Sequence, residues 1–257
     1  MSVYQHFRPE EKGFIDQVLN WKNSVEITYA PKLTEFLDPR EQEIIRQLIG
    51  MNNDVKIHLF GGFELAERKR ALLYPEYLQP EEEDFQISLF EVDYPKKFVN
   101  LEHPQVLGSL MSLGLKRVKY GDILFEGDSI QFFVTRDIEH YISTQLNTIG
   151  KASVSLIYQP LNRALQSKEI WSEQSVTSTS LRLDTVASAI HNISRQKSQT
   201  LIQQGLTKVN WTLIENPAFE VRESDIISIR GYGRAKIIAL EGKTKRDKWK
   251  ITAGKQK

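Results

Sequence analysis

The residues that could do chemistry here are mostly cations. Residues 181–257 hold 15 Lys and Arg against 7 Asp and Glu, a balance of +8, while residues 1–180 hold 19 against 26. Charge of one sign gathered in one segment suits a polyanionic partner, or else forms a solvated basic segment with no ligand. Within it, Ser194–Trp211 ("SRQKSQTLIQQGLTKVNW") reads as a short cationic helix stopped at Gly205 and turned into a strand. Arg195 and Lys197 sit in the first turn of that helix, where they oppose the helix dipole and where free N–H groups favour an anion. A phosphate ligand resolves that conflict. Further along, Arg230, Arg234, Lys236, Lys243, Lys245, Arg246, Lys248 and Lys250 alternate with Tyr232 and Trp249. Interleaved cations and aromatics suit a groove that tracks a nucleic-acid backbone.

Other chemistries find less support. There is no cysteine, which excludes disulfides, thiolate metal sites and a cysteine nucleophile. The five histidines, His6, His58, His103, His140 and His191, are scattered, so no metal site is expected. Neither GxGxxG, a P-loop nor a nucleophile elbow occurs, and no cofactor or small-molecule substrate is expected. Arg182-Leu183-Asp184 is similar to the motif carrying the catalytic Asp of pseudouridine synthases. It opens a helix pair with no catalytic domain after it, so Asp184 reads as a helix cap or the partner of a nearby Arg. Arg68, Lys69 and Arg70, with Lys116 and Arg117, form either a second RNA contact or a solvated face. No apolar run approaches the roughly 18 residues of a membrane span, and the N-terminus lacks a signal-peptide core, so a cytoplasmic location is expected.

The elements that must carry these residues fall into three blocks. Residues 1–80 read as an αβ region: a helix with Phe14, Val18 and Trp21 at helical spacing, a second helix capped by Asp38 with Pro39 at its first position and Gly50 beyond it, and a strand "DVKIHLF". "FELAERKRALLYP" reads as a further helix. Residues 81–165 read β-α-β-β-α-β, with a hairpin turn at Gly127-Asp128, the order of a ferredoxin-like split βαβ (RRM-like) domain. Their third strand, "SIQFFVT", lacks the basic-Gly-aromatic pattern with which such domains stack bases. Residues 166–180 are Ser/Thr-rich and read as a linker, and residues 181–257 as a basic αβ domain. The fold class is α+β.

"RLDTVASAIHNISRQKSQTLIQQGLTKVN" followed by "DIISIRGYGR" resembles the S4 RNA-binding domain over about residues 181–245. Trp211 departs from it, since many S4 domains have Gly after this Asn, which puts a tight turn there in question. "HFRPEE", "LTEFLDPREQEII", "GGFELAERKRALLYPEY" and "LGSLMSLGLKRVKYGDI" extend the likeness over nearly the whole chain, to the YlmH-type S4 proteins of bacteria. The resemblance implies a binding factor, acting as a monomer, that meets ribosomal RNA and tRNA on the large ribosomal subunit when peptidyl-tRNA is stranded there. Its RNA contacts are then expected from Arg182, Arg195, Lys197, Lys208, Arg230, Tyr232, Arg234 and Lys236, with Arg68, Lys69, Arg70, Lys116 and Arg117 as secondary candidates. The alternative is an RNA-modifying enzyme whose catalytic part is residues 1–165, with a concave polar pocket there and S4 as accessory anchor.

Overall fold

The computed structural model describes residues 7, 11–50, 54–166 and 171–256, and the chain divides into two compact units, residues 1–167 and 168–257. His6 and most of "HFRPEE" lie outside the described residues.

The first unit opens with α1 (Lys12–Thr28), β1 (Lys32–Leu37) and α2 (Pro39–Ile49). Asp38 caps α2 as its sequence predicts: its carboxylate accepts from the Glu41 N–H, and the Glu41 side chain accepts from the Asp38 N–H, satisfying two orphan donors at once. β2 (Val55–Phe60) and β3 (Lys69–Pro75) complete a three-stranded antiparallel sheet in the order β1-β3-β2. β3 is the stretch expected as a helix. It is the central strand, and both its faces are buried, so Ala71, Leu72 and Leu73 form a continuous apolar run with no period-2 alternation. β1 was not expected at all; a register shift between Leu33 and Phe36 breaks its alternation.

The chain continues through β4 (Ile87–Asp93), α3 (His103–Ser112), β5 (Tyr120–Glu126), β6 (Ser129–Thr135), α4 (Glu139–Gln145), the two-residue strands β7 (Thr148–Ile149) and β8 (Ala152–Ser153), and β9 (Ser155–Gln159). Four of these strands form one antiparallel sheet, ordered β5-β6-β4-β9. One face, with Phe90, Val92, Phe132 and Val134, packs on Val106 and Leu110 of α3 and Ile142 of α4. The other, with Ile87, Leu89, Leu124 and Phe133, is covered by Phe36, Phe63 and Leu72 from the N-terminal sheet and its loop. Phe133 stacks on Phe63 with centroids 5.4 Å apart. Gly62 allows this contact: a Cβ there would lie 2.5 Å from the Phe133 ring.

The second unit begins with β10 (Trp171–Ser178), inside the segment expected as a linker. Its Ser and Thr residues suit an edge strand: β10 pairs along its length with the last strand, packs Val176 against the core and buries Ser178. Then follow α5 (Leu183–His191), α6 (Arg195–Gln203), β11 (Thr207–Val209), β12 (Thr212–Leu213), β13 (Ile226–Ile229), β14 (Gly233–Lys243) and β15 (Trp249–Gln256). The six-stranded sheet runs β10-β15-β14-β13-β11-β12. Val209, Ile227, Ile229, Ala235, Ile237, Ile251 and Ala253 bury one face against Val186, Ile190, Leu201 and Ile202 of the two helices. Alternation therefore sends Lys208, Ser228, Arg234 and Lys236 to the opposite face.

Candidate nucleic-acid interface

Ser194 caps α6, its hydroxyl accepting from the Lys197 N–H at 3.1 Å, and Gly205 ends the turn after the helix at a φ of 69°. Asp184 does not cap α5. Arg182 holds the N-cap position, and Asp184 lies in the first turn, buried, where a carboxylate favours the dipole. Its Oδ1 accepts from Arg182 Nε at 3.0 Å, and its Oδ2 from Arg195 Nε at 3.0 Å and Gln199 Nε2 at 2.7 Å. Burial pushes the carboxyl's pKa up, but these three donors outweigh it and hold it at about 2. The cation that α6 carries in its first turn thus has a partner within the fold: Arg195 clamps α6 to α5 through Asp184. Both guanidiniums still reach solvent, Arg182 at 39% and Arg195 at 54% side-chain exposure. Lys197 is exposed.

Below the helix pair, a shallow groove of about 390 Å³ is lined by Gly205, Leu206, Lys208, Ser228, Ile229, Arg230, Gly233 and Arg234. Lys208 pairs with Ser228, and Ser228 with Arg234, so the three side chains stand in one row across the sheet. Arg230 is exposed at the end of β13, its N–H donating to Leu206 O. Lys236 lies one row further on, opposite Ile226.

The turn between β11 and β12 is tight despite Trp211. Asn210 and Trp211 both take left-handed backbone angles, φ 48° and 63°, the pattern of a two-residue type I′ turn. Asn210 fixes it from the side, donating to Asp225 Oδ1 at 2.7 Å and accepting from the Ile226 N–H at 2.9 Å. The Trp211 ring, half exposed, lies 5.7 Å from the Arg234 guanidinium. Trp211 was not among the sequence candidates; the signal for it was an aromatic in a hairpin turn beside basic strands. Tyr232 is half-buried instead, set edge-on to His191 at 6.1 Å.

The secondary candidates do not form a cationic helix face. Arg68 donates to Tyr120 O and Phe36 O, and Arg70, buried, donates to Thr34 O, Phe85 O and Gln86 O. Arg117 donates to Tyr120 O and Gly121 O. These guanidiniums neutralise backbone carbonyls at strand ends, which a buried C=O requires. Lys69 is half-buried at the start of β3, and Lys116 is exposed.

Family profiles match the chain in three consecutive pieces: "YlmH, N-terminal" over residues 10–78, "Putative RNA-binding domain in YlmH" over residues 80–163, and the S4 domain over residues 181–227. The ribosome-associated protein quality control protein P2 of Bacillus subtilis (strain 168) is 48% identical over 259 residues, covering 100% of this chain and 99% of that protein. A solved structure described as cell division protein ylmH from Streptococcus pneumoniae is 35% identical, with a TM-score of 0.55, over 64% of this chain and 100% of its own. With an S4 domain joined to both YlmH-specific regions, and this identity over its full length, the chain belongs to the YlmH family.

Proposed function

We propose that this protein is an RNA-binding factor that docks through its S4 unit on the large ribosomal subunit and tRNA, and that it serves quality control on subunits bearing stranded peptidyl-tRNA. The observation that carries this reading is the groove, where Lys208, Arg230 and Arg234 surround a floor of small and apolar residues beside the Trp211 ring. Cations spaced along a sheet bind phosphates and so orient a protein on RNA. The ring offers a face for one unpaired base. Lys197 and the exposed sides of Arg182 and Arg195 extend the cationic surface along α6. The name of the Bacillus subtilis relative supports the ribosomal setting. A cytoplasmic monomer suits this role, and no helix among the described residues is long and apolar enough to cross a membrane.

The middle sheet's order and its two helices on one face support reading residues 81–165 as a ferredoxin-like domain. Its other face, which RNA-binding relatives of that fold keep open for bases, is filled by the N-terminal sheet. Any RNA contact by this domain is therefore made from its edges and loops.

The enzyme alternative asks for a concave site with a perturbed group in the first unit. The polar groove there is lined by Leu33, Glu35, Arg70, Gln86, Lys119, Arg136 and Asp137, and its Lys119 is paired at 2.6 Å to both Glu35 and Asp137. Asp122, whose carboxyl burial and Glu67 push up to about 6, lies outside that groove and accepts from the Glu67 and Arg68 N–H groups. Both arrangements serve to join strands and loops, and neither favours catalysis.

The test is a salt series of binding to ribosomal RNA and tRNA. Lys208→Ala/Arg230→Ala is expected to lower the slope of log K against log salt by about 2, one unit for each phosphate contact. A slope and affinity equal to wild type would remove the groove from the interface.

A further inference from the structure

Beyond the matched S4 region, which stops at residue 227, β14 and β15 run on as a long hairpin ending in Thr244-Lys245-Arg246-Asp247-Lys248. We propose that this hairpin tip is a second RNA-contact site, gripping the phosphate backbone of a double-helical RNA segment at a distance from the groove. The proposal rests on the S4 unit being an RNA binder and adds a second, separate foothold to it.

The tip is a built turn. The Thr244 N–H donates to Lys248 O at 2.7 Å, the Asp247 N–H to Thr244 O at 2.9 Å, and the Lys248 N–H to Thr244 Oγ1 at 3.2 Å, with Asp247 in a left-handed conformation at φ 56°. Its acids are already used: Asp247 pairs with Lys243 at 2.7 Å, and Glu241 pairs with Lys250. Lys243 also lies 5.9 Å from the Trp249 ring, which it covers. Lys245, Arg246 and Lys248 remain exposed, and none of them enters an ion pair among the described residues. Asp247 already fills the left-handed position as a turn prefers, so the turn geometry itself does not call for the three cations. Three unneutralised cations within five residues repel one another, a cost that a polyanion removes.

The spacing of the two sites bears on the kind of RNA. From Arg234 in the groove to Lys243 is nine residues of β14, about 30 Å at roughly 3.3 Å per residue. A ligand reaching both sites must hold its phosphates that far apart, as a stiff helix does. The aromatic nearest the tip, Trp249, packs against the hydrophobic core of the unit and so is not a free platform for unstacked bases. Side chains cannot read the deep groove of an RNA helix, so its phosphates are what the tip can reach.

Full-length protein would be titrated with blunt RNA duplexes of increasing length, at several salt concentrations, comparing wild type with Lys245→Ala/Arg246→Ala/Lys248→Ala and with Lys208→Ala/Arg230→Ala. Wild type is expected to gain about tenfold or more in affinity, and about 2–3 units of salt slope, once the duplex exceeds about 30 Å. The tip variant is expected to bind short duplexes like wild type, to lose the gain on long ones, and to keep the wild-type melting curve because its three positions are exposed. Equal affinity and slope for wild type and the tip variant at every length would overturn the second site. In that case a weakened groove variant leaves the S4 reading standing. Failure of wild type to bind any of the duplexes also overturns the second site, while the salt series on ribosomal RNA and tRNA decides the S4 reading separately.

Discussion

Asp184 is a buried carboxylate whose three donors come from the N-terminus of α5 and from two successive turns of α6. Its folded-state pKa of about 2 lies below the ordinary carboxylate value, so its contribution to stability is whole at neutral pH and disappears only as pH falls from about 4 through 2. Asp184→Asn is expected to lower stability by about 1–3 kcal/mol, the range for hydrogen bonds to a charged group, read from denaturant midpoints. His191 titrates in a different window. Burial first, and then the Lys255 charge, lower its pKa to about 4, and neither ring nitrogen has a hydrogen-bond partner among the described residues. The unfolded chain therefore binds a proton near pH 6.5 that the folded chain refuses until about pH 4, so stability falls as pH drops between those values, by at most about 1.4 kcal/mol per unit. His191→Leu should flatten that slope; an unchanged slope would point to another group. The sequence made Asp184 legible as a cap or an Arg partner, and the partner role is the one observed. It could not reveal that Arg195, eleven residues on, spends its charge on that same carboxylate, because the pairing depends on how the two helices pack. Trp211 adds a third residue-scale expectation. A non-glycine at φ 63° is strained, so Trp211→Gly should leave stability equal or raise it by up to about 1 kcal/mol, while weakening RNA binding through loss of the ring beside Arg234.

At the scale of elements, helix starts were the readable part. Asp38-Pro39 before α2 and Ser194 before α6 signal their helices through backbone N–H groups that need an acceptor, a local requirement. Strands were read less well because their patterns depend on what covers them. β3 is buried on both faces and lost its alternation; β10 is an edge strand whose polar residues imitate a linker. Charge alone could not show that Arg68, Arg70 and Arg117 are bonded to backbone carbonyls, since such a guanidinium looks in sequence like one reserved for RNA. Arg70→Ala would leave the carbonyls of Thr34, Phe85 and Gln86 without their donor and should cost about 2–4 kcal/mol, with the salt slope of RNA binding unchanged. A reduced slope in a variant that keeps its fold would return Arg70 to the interface.

For the whole molecule, charge is segregated between the units: residues 168–257 hold 16 Lys and Arg against 9 Asp and Glu, a balance of +7, and residues 1–167 hold 18 against 24. The second unit carries the groove and the cationic hairpin. In the first, two sheets close on a shared aromatic core, and guanidiniums are turned inward. Composition made that charge difference legible; the individual contacts required the fold. The claim that most needs testing is that the cationic face of the S4 unit anchors the protein on the ribosome. Co-sedimentation with separated ribosomal subunits, comparing wild type with Lys197→Ala/Lys208→Ala/Arg230→Ala, tests it without disturbing the Asp184 clamp. Wild type is expected to travel with the large subunit and the variant to stay at the top of the gradient. A variant that sediments as fully as wild type would contradict the account.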